Sequence, residues 1–266
     1  MTWLGFDWSI LGLPMIAGLL VLATHVPLGT QVLERGIVFI DLAIAQIAGL
    51  GVIAADTFGA PEGGIAVQVA ALCAAELGAM VLTWSEARMR QQQEALIGVL
   101  FILAACAGIM LLASNPHGGE HLQNLLVGQI LWVNWTELGW LAAITVVLLA
   151  ALRLGWIQRL GRFGFYGAFA LAITASVQLV GIYLVFSSLI IPALATRNLS
   201  GPRRYLAAYG LGVAGYAIGL VLSALFDLPS GAVIVCTLAA CAALGAVTFP
   251  RFSGVMMRAR GADPGA

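Results

Sequence analysis

An all-α, polytopic integral membrane protein is the fold class this chain predicts, and three observations predict it. Only 9% of the residues are charged and 61% are hydrophobic, whereas a soluble domain carries about 25% charged residues because its surface faces water. The apolar residues fall in runs close to 20 long, the length that takes a helix across about 30 Å of hydrocarbon. No stretch between the runs is large enough for a soluble domain, so residues 1–266 read as a single transmembrane domain.

The first run, 10–29, has no basic segment before it, so no cleaved signal peptide is evident. Runs at 36–55, 64–84, 95–113 and 138–153 follow, and 205–225 and 231–249 close the series. Arginines concentrate in cytoplasmic loops. Arg35 therefore marks the first loop as inside, Arg88 and Arg90 the third, and Arg153, Arg159 and Arg162 the segment after residue 153. Loops 56–63 and 114–135 contain no arginine and face outward, which gives Trp132, Trp135 and Trp140 an outer aromatic belt and Trp84 and Trp156 an inner one. The remaining run, 164–196, has arginines at both flanks, since Arg197, Arg203 and Arg204 follow it. It must cross an even number of times, as a full helix and a short or broken one using Gly181, Ser187, Ser188 and Pro192. The expectation is eight to nine transmembrane helices, the N-terminus outside and the C-terminus cytoplasmic.

Formal net charge is zero, which gives no case for nucleic acid. All twelve basic residues are arginine. Without lysine there is no G-x-x-x-x-G-K-S/T phosphate loop and no Schiff-base chemistry in this chain. Any ATP hydrolysis belongs to another subunit. Cys73, Cys106, Cys236 and Cys241 lie in apolar runs without C-x-x-C spacing and read as small buried hydrophobes.

Four stretches carry a family resemblance. "LERGIVFIDLAIAQIAGLGV" at 33–52 resembles L-R-R-x-x-F-x-G-D-A-L-S-H-A-x-L-x-G-V. "EALIGVLF" and "NLLVGQIL" resemble E-x-x-I-G-x-L-F and L-L-F-G-N-I-L, and "FDLPSGAVIV" resembles L-D-x-P-x-G. Most specific is "VQLVGIYLVFSSLIIPALATRNL", similar to V-x-x-V-G-x-x-L-V-x-A-L-L-I-x-P-A-A-T-A-R. These are signatures of the permease subunits of zinc/manganese/iron ABC importers. The resemblance implies a homodimeric permease in the bacterial inner membrane, an ATP-binding ATPase subunit on its cytoplasmic side and an extracytoplasmic metal-binding protein. The cargo would be a divalent ion such as zinc, manganese or iron, with ATP bound only on the partner. The alternative is a stand-alone proton-coupled carrier with Asp41, Glu76 and His25 as its relay; no inverted repeat supports it. No serine-nucleophile elbow or H-E-x-x-H suggests an enzyme.

The chain departs from the signature at its chemistry. Aligning Phe39 with the family phenylalanine puts Leu42 at the aspartate and Gln46 at the histidine, with Asp41 one residue early. The resemblance implies that this Asp and His line the metal path; Gln46 offers an oxygen, a poorer ligand for zinc than imidazole. A hairpin turn near residue 33 puts His25 and Asp41 eight residues from it, and Glu76 eight before Trp84. At helical rise all three would lie about 12 Å from the cytoplasmic edge. One imidazole and two carboxylates would suit a divalent cation; equally, they would pair with each other, Thr24 or Gln46 to hold helices together.

In "NPHGGEHLQNLL" His117, Glu120 and His121 lie in an outward loop, either receiving metal from the binding protein or simply solvated. Gly118 and Gly119 argue against a helix there. Glu94 is placed to begin a helix. "ATRNLSGPRRY", with Arg197, Arg203 and Arg204, is the candidate ATPase-docking loop, although positive-inside anchoring explains the same charges.

Overall fold

The computed structural model describes residues 8–61, 64–88, 92–112 and 118–248. Helix follows helix: α1 (Trp8–Arg35), α2 (Ile40–Thr57), α3 (Ile65–Arg88), α4 (Gln93–Leu112), α5 (Gly118–Val127), a 3-10 turn (Ile130–Trp132), α6 (Trp135–Arg153), α7 (Trp156–Arg159), α8 (Gly161–Val180), α9 (Ile182–Ala195), α10 (Pro202–Phe226) and α11 (Ser230–Thr248). Seven of these are long and apolar enough to cross a membrane, and α9 and the Ser230–Gly245 part of α11 are shorter apolar helices. The chain is a polytopic membrane protein.

Gly181 divides the long run. Its φ of 79° is open to glycine, and α8 stops there with its amide still donating to Val177 O. The expected break residues Ser187, Ser188 and Pro192 lie inside α9 instead. Fourteen residues span about 21 Å, short of the hydrocarbon thickness. The short helix is tolerated because it is enclosed by α1, α8, α10 and α11, with Leu184, Val185, Ser188, Leu189 and Ala193 fully buried.

Two ends of the bundle are set by contacts between loops. At one end Arg204 of α10 pairs with Glu34 of α1 at 2.8 Å, Arg35 approaches Glu86 of α3 at 3.8 Å, and the Phe39 amide donates to Glu94 Oε1 at 3.4 Å. At the other, the Gln129 amide donates to Leu179 O at 3.4 Å, and Gly128 and Gly231 press on the Val180 and Val127 backbones. Helix α9 therefore runs back from the second end to the first, and the 164–196 run returns to the arginine end as the charge pattern requires. Trp132, Trp135 and Trp140 are exposed near the second end, Trp84 and Trp156 near the first.

The core is built on small residues. Helix α2 is buried around most of its circumference by α3, α4 and α8. Gly51 meets the α3 backbone so closely that a Cβ would lie 2.7 Å from Ala70 O, and a Cβ on Gly78 would lie 2.8 Å from Ile47 Cδ1. Between α10 and α11, a Cβ on Gly219 would lie 2.7 Å from Ile234 Cα, and Thr237 Oγ1 donates to Gly215 O at 2.7 Å. Helices α4 and α6 turn Ile102, Leu103, Met110, Val146 and Val147 outward.

Two expectations are corrected. Cys73, Cys106 and Cys236 are exposed and Cys241 half-exposed; in a membrane protein an apolar run faces lipid as readily as the core, so apolarity alone does not imply burial. A helix does begin at Gly118: glycine's penalty is smallest in a first turn, whose amides lack intrahelical partners in any case. Gly36 packs against nothing; with φ of 72° it ends α1.

Candidate functional site

Asp41 is fully buried, and no donor among the described residues reaches either carboxylate oxygen. Its depth differs from the sequence expectation. Helix α1 continues to Arg35 and α2 starts at Ile40, so Asp41 sits in the first turn of α2 rather than eight residues inside the bundle. There the positive end of the helix favours a carboxylate, although Asp41 does not cap the helix: the N-cap position is Phe39, with no side-chain bond.

His25 lies ten residues before the end of α1, about 15 Å at helical rise, and is fully buried. Its Nδ1 is 2.9 Å from Val21 O and 3.0 Å from Thr24 Oγ1. The carbonyl must be given a proton, which assigns the hydrogen to Nδ1 and leaves the lone pair on Nε2. Nε2 is buried with no partner among the described residues. A neutral imidazole anchored through one nitrogen to a carbonyl is the form in which histidine binds metals.

Glu76 is half-buried on α3, facing α8 where Gly167 leaves it room; a Cβ there would lie 3.5 Å from its Oε2. Gln46 is buried on α2. It follows Asp41 by five residues, about 140° around the helix from it. Among the described residues, no three His, Cys, Asp or Glu side chains come together as a metal site. Asp41, His25 and Glu76 thus do not form one three-ligand set, and the longer α1 and later start of α2 put Asp41 nearer the arginine end than His25. His121 lies on α5, and His117 lies outside the described residues.

The three docking arginines separate into two kinds. Arg197 and Arg203 are exposed on the turn after α9 and at the start of α10. The Arg204 side chain is only 14% exposed and is held by Glu34 at 2.8 Å. It ties α10 to α1. Thr196 shapes this turn by donating to Pro192 O at 2.8 Å while its carbonyl accepts the Leu199 amide at 2.9 Å.

Two polar links escaped the sequence reading. Ser188 Oγ donates to Leu184 O at 2.7 Å, so the Tyr216 hydroxyl, 2.8 Å away, donates to Ser188 and joins α10 to α9. Gln93 Nε2 donates to the Tyr166 hydroxyl at 2.5 Å, joining α4 to α8. Such pairs have no local spacing; only the polarity of Ser188 and Gln93 within or beside apolar runs hinted at a partner.

Comparison with known proteins bears on this arrangement. The ABC 3 transport family matches residues 8–161 and 155–249. The high-affinity zinc uptake system membrane protein ZnuB of Haemophilus influenzae is 24% identical over 86% of this chain and 94% of its own length. The manganese transport system membrane protein MntC of Halalkalibacterium halodurans is 25% identical over 95% of this chain and 91% of its own. The solved structure of PsaBC from Streptococcus pneumoniae, in complex with Fab, shares the fold with a TM-score of 0.76 at 18% identity, covering 95% of this chain and 96% of that one.

Proposed function

Because this chain belongs to the ABC 3 transport family, we propose that it is the membrane-spanning permease of an ATP-driven importer of a divalent metal ion, zinc, manganese or iron. The observation that carries the reading is the family match, which runs through nearly every helix; zinc and manganese relatives of similar length support the cargo. The chain is a multi-pass protein of the bacterial inner membrane and does no covalent chemistry in this scheme. Two copies enclose a path, each rests on an ATPase subunit, and a binding protein delivers metal from outside, with His121 and His117 at the receiving surface. ATP binding and hydrolysis on the partner alternate the path between outward- and inward-open states.

Within the chain, Asp41 supplies fixed negative charge and His25 a free Nε2 lone pair. Because they lie at different levels, they act as successive contacts for a cation rather than as one chelate. Gln46 and Glu76 offer oxygens on α2 and α3. Arg197 and Arg203 face the ATPase, while Arg204 holds the loop that carries them.

Reconstitution tests this. The permease alone should hydrolyse no ATP; with its ATPase and binding protein in vesicles it should take up metal in step with hydrolysis. Arg203→Glu should lower co-purification of the ATPase severalfold, and Arg204→Gln, which releases the loop from Glu34, should lower it by less. ATP-independent uptake by the permease alone, driven by a proton gradient, would instead establish a secondary carrier.

A further inference from the structure

We propose that the cleft between α1, α7 and the first turn of α8 binds the phosphate headgroup of an anionic phospholipid. The cleft is about 320 Å³ in volume, within the range of about 300–1,000 Å³ usual for small-molecule sites. Its polar lining is Gln31, Arg35, Gln158 and Arg162, and Ile157 and Phe165 complete the wall. Two guanidinium groups and two amides line it, and no carboxylate of the described residues does.

Neither arginine is fully engaged elsewhere. Arg35 lies 4.0 Å above the Phe165 ring, so its guanidinium is held at the wall of the cleft. Its ion pair with Glu86, at 3.8 Å, is too long for a hydrogen bond and leaves its donors open. Arg162 makes no ion pair or hydrogen bond with the described residues. A guanidinium presents a planar fork of donors that matches a phosphate in two-point contact.

The surroundings select a lipid over a free anion. Leu154, Trp156, Leu160 and Phe163, close in sequence to the lining residues Ile157, Gln158 and Arg162, are 56%, 57%, 66% and 70% exposed. Helix α7 joins two membrane-spanning helices, so these side chains lie at the edge of the bilayer, where tryptophan is favoured. Basic pockets between membrane helices hold charged headgroups in this way, and the four apolar side chains would lie along the acyl chains. A free phosphate would leave them without a role.

The test uses full-length protein in mild detergent, offered phosphatidylglycerol or phosphatidylcholine, with bound lipid counted by native mass spectrometry. Wild type should retain phosphatidylglycerol in preference. R162Q should lower that retention about fivefold, the factor expected for one basic residue at a charged surface, and R162K should recover part of it. Because Arg162 pairs with none of the described residues, R162Q should melt like wild type in phosphatidylcholine, and R162K controls for the change of shape. Excess inorganic phosphate should leave the lipid bound. Unchanged retention in R162Q, equal retention of phosphatidylcholine, or full displacement by inorganic phosphate would overturn the proposal. So would loss of ATPase-subunit recovery in R162Q with lipid retention intact, which would make the cleft a protein interface.

Discussion

Asp41 is a fully buried carboxylate, its near neighbours in sequence Ile37, Ile40 and Ile44 are buried too, and no donor among the described residues reaches it. An ionised group so placed costs about 2.5–3.5 kcal/mol on insertion scales, and the N-terminal dipole of α2 offsets up to about 2 kcal/mol in partly buried geometry. The difference calls for a partner that is not fixed in the chain: a proton in the empty state, which a transported cation would displace. Asp41→Asn keeps the shape and removes the charge. The permease–ATPase complex should then assemble in normal yield, since no protein bond is lost, while metal uptake per assembled complex falls to background. Radiolabelled-metal uptake into vesicles, normalised to complex, measures it; normal uptake would take Asp41 off the path. The acid was legible as an anomaly in an apolar run, but its depth was not. That depended on Gly36, whose left-handed backbone ends α1 three residues beyond the turn expected near residue 33. An apolar run carries no mark of where a helix stops within it.

Pairs of helices are locked by what their glycines lack. Gly212, Gly215 and Gly219 line the face of α10 that meets α1 and α11, with Leu22, Leu238 and Ile234 filling the missing side-chain positions. In lipid no hydrophobic force draws helices together, so close packing of such surfaces holds them. Gly219→Leu would push a branched side chain into the α11 backbone, and overpacking of this kind costs about 1–3 kcal/mol. The melting temperature in detergent should fall by several degrees, whereas Gly210→Leu, on the same helix but with open space around it, should leave it unchanged. Equal melting of the two variants would show that the α10–α11 contact does not govern stability. Element by element, existence was the legible part: each apolar run became a helix, and the split run broke at one of the residues available to break it. What faced what was not legible, because lipid-facing and core-facing positions are equally apolar. Cys73, Cys106 and Cys236 show this directly.

Across the whole molecule, the two ends of the bundle differ in a way that predicts its orientation. One gathers Arg35, Arg88, Arg153, Arg159, Arg162, Arg197, Arg203 and Arg204; no arginine lies in the described loops of the other, which carries exposed Trp132 and Trp135. Contacts from Arg204 to Glu34 and from Arg35 toward Glu86 show that the arginines belong to one face, although they come from four separate connections. The positive-inside rule then acts on them together, and predicts that this face is cytoplasmic. In a background with the four native cysteines replaced, a cysteine at Gly119 should react with a membrane-impermeant maleimide on intact cells. One at Gln92, beside the start of α4, should react only after permeabilisation. Replacing the native thiols is necessary, because three of them face outward from the bundle. Should Gln92 label in intact cells while Gly119 does not, the molecule is inverted. Arg197 and Arg203 would then face away from any cytoplasmic ATPase, and Asp41 would stand at the outer mouth of the path instead of near its exit.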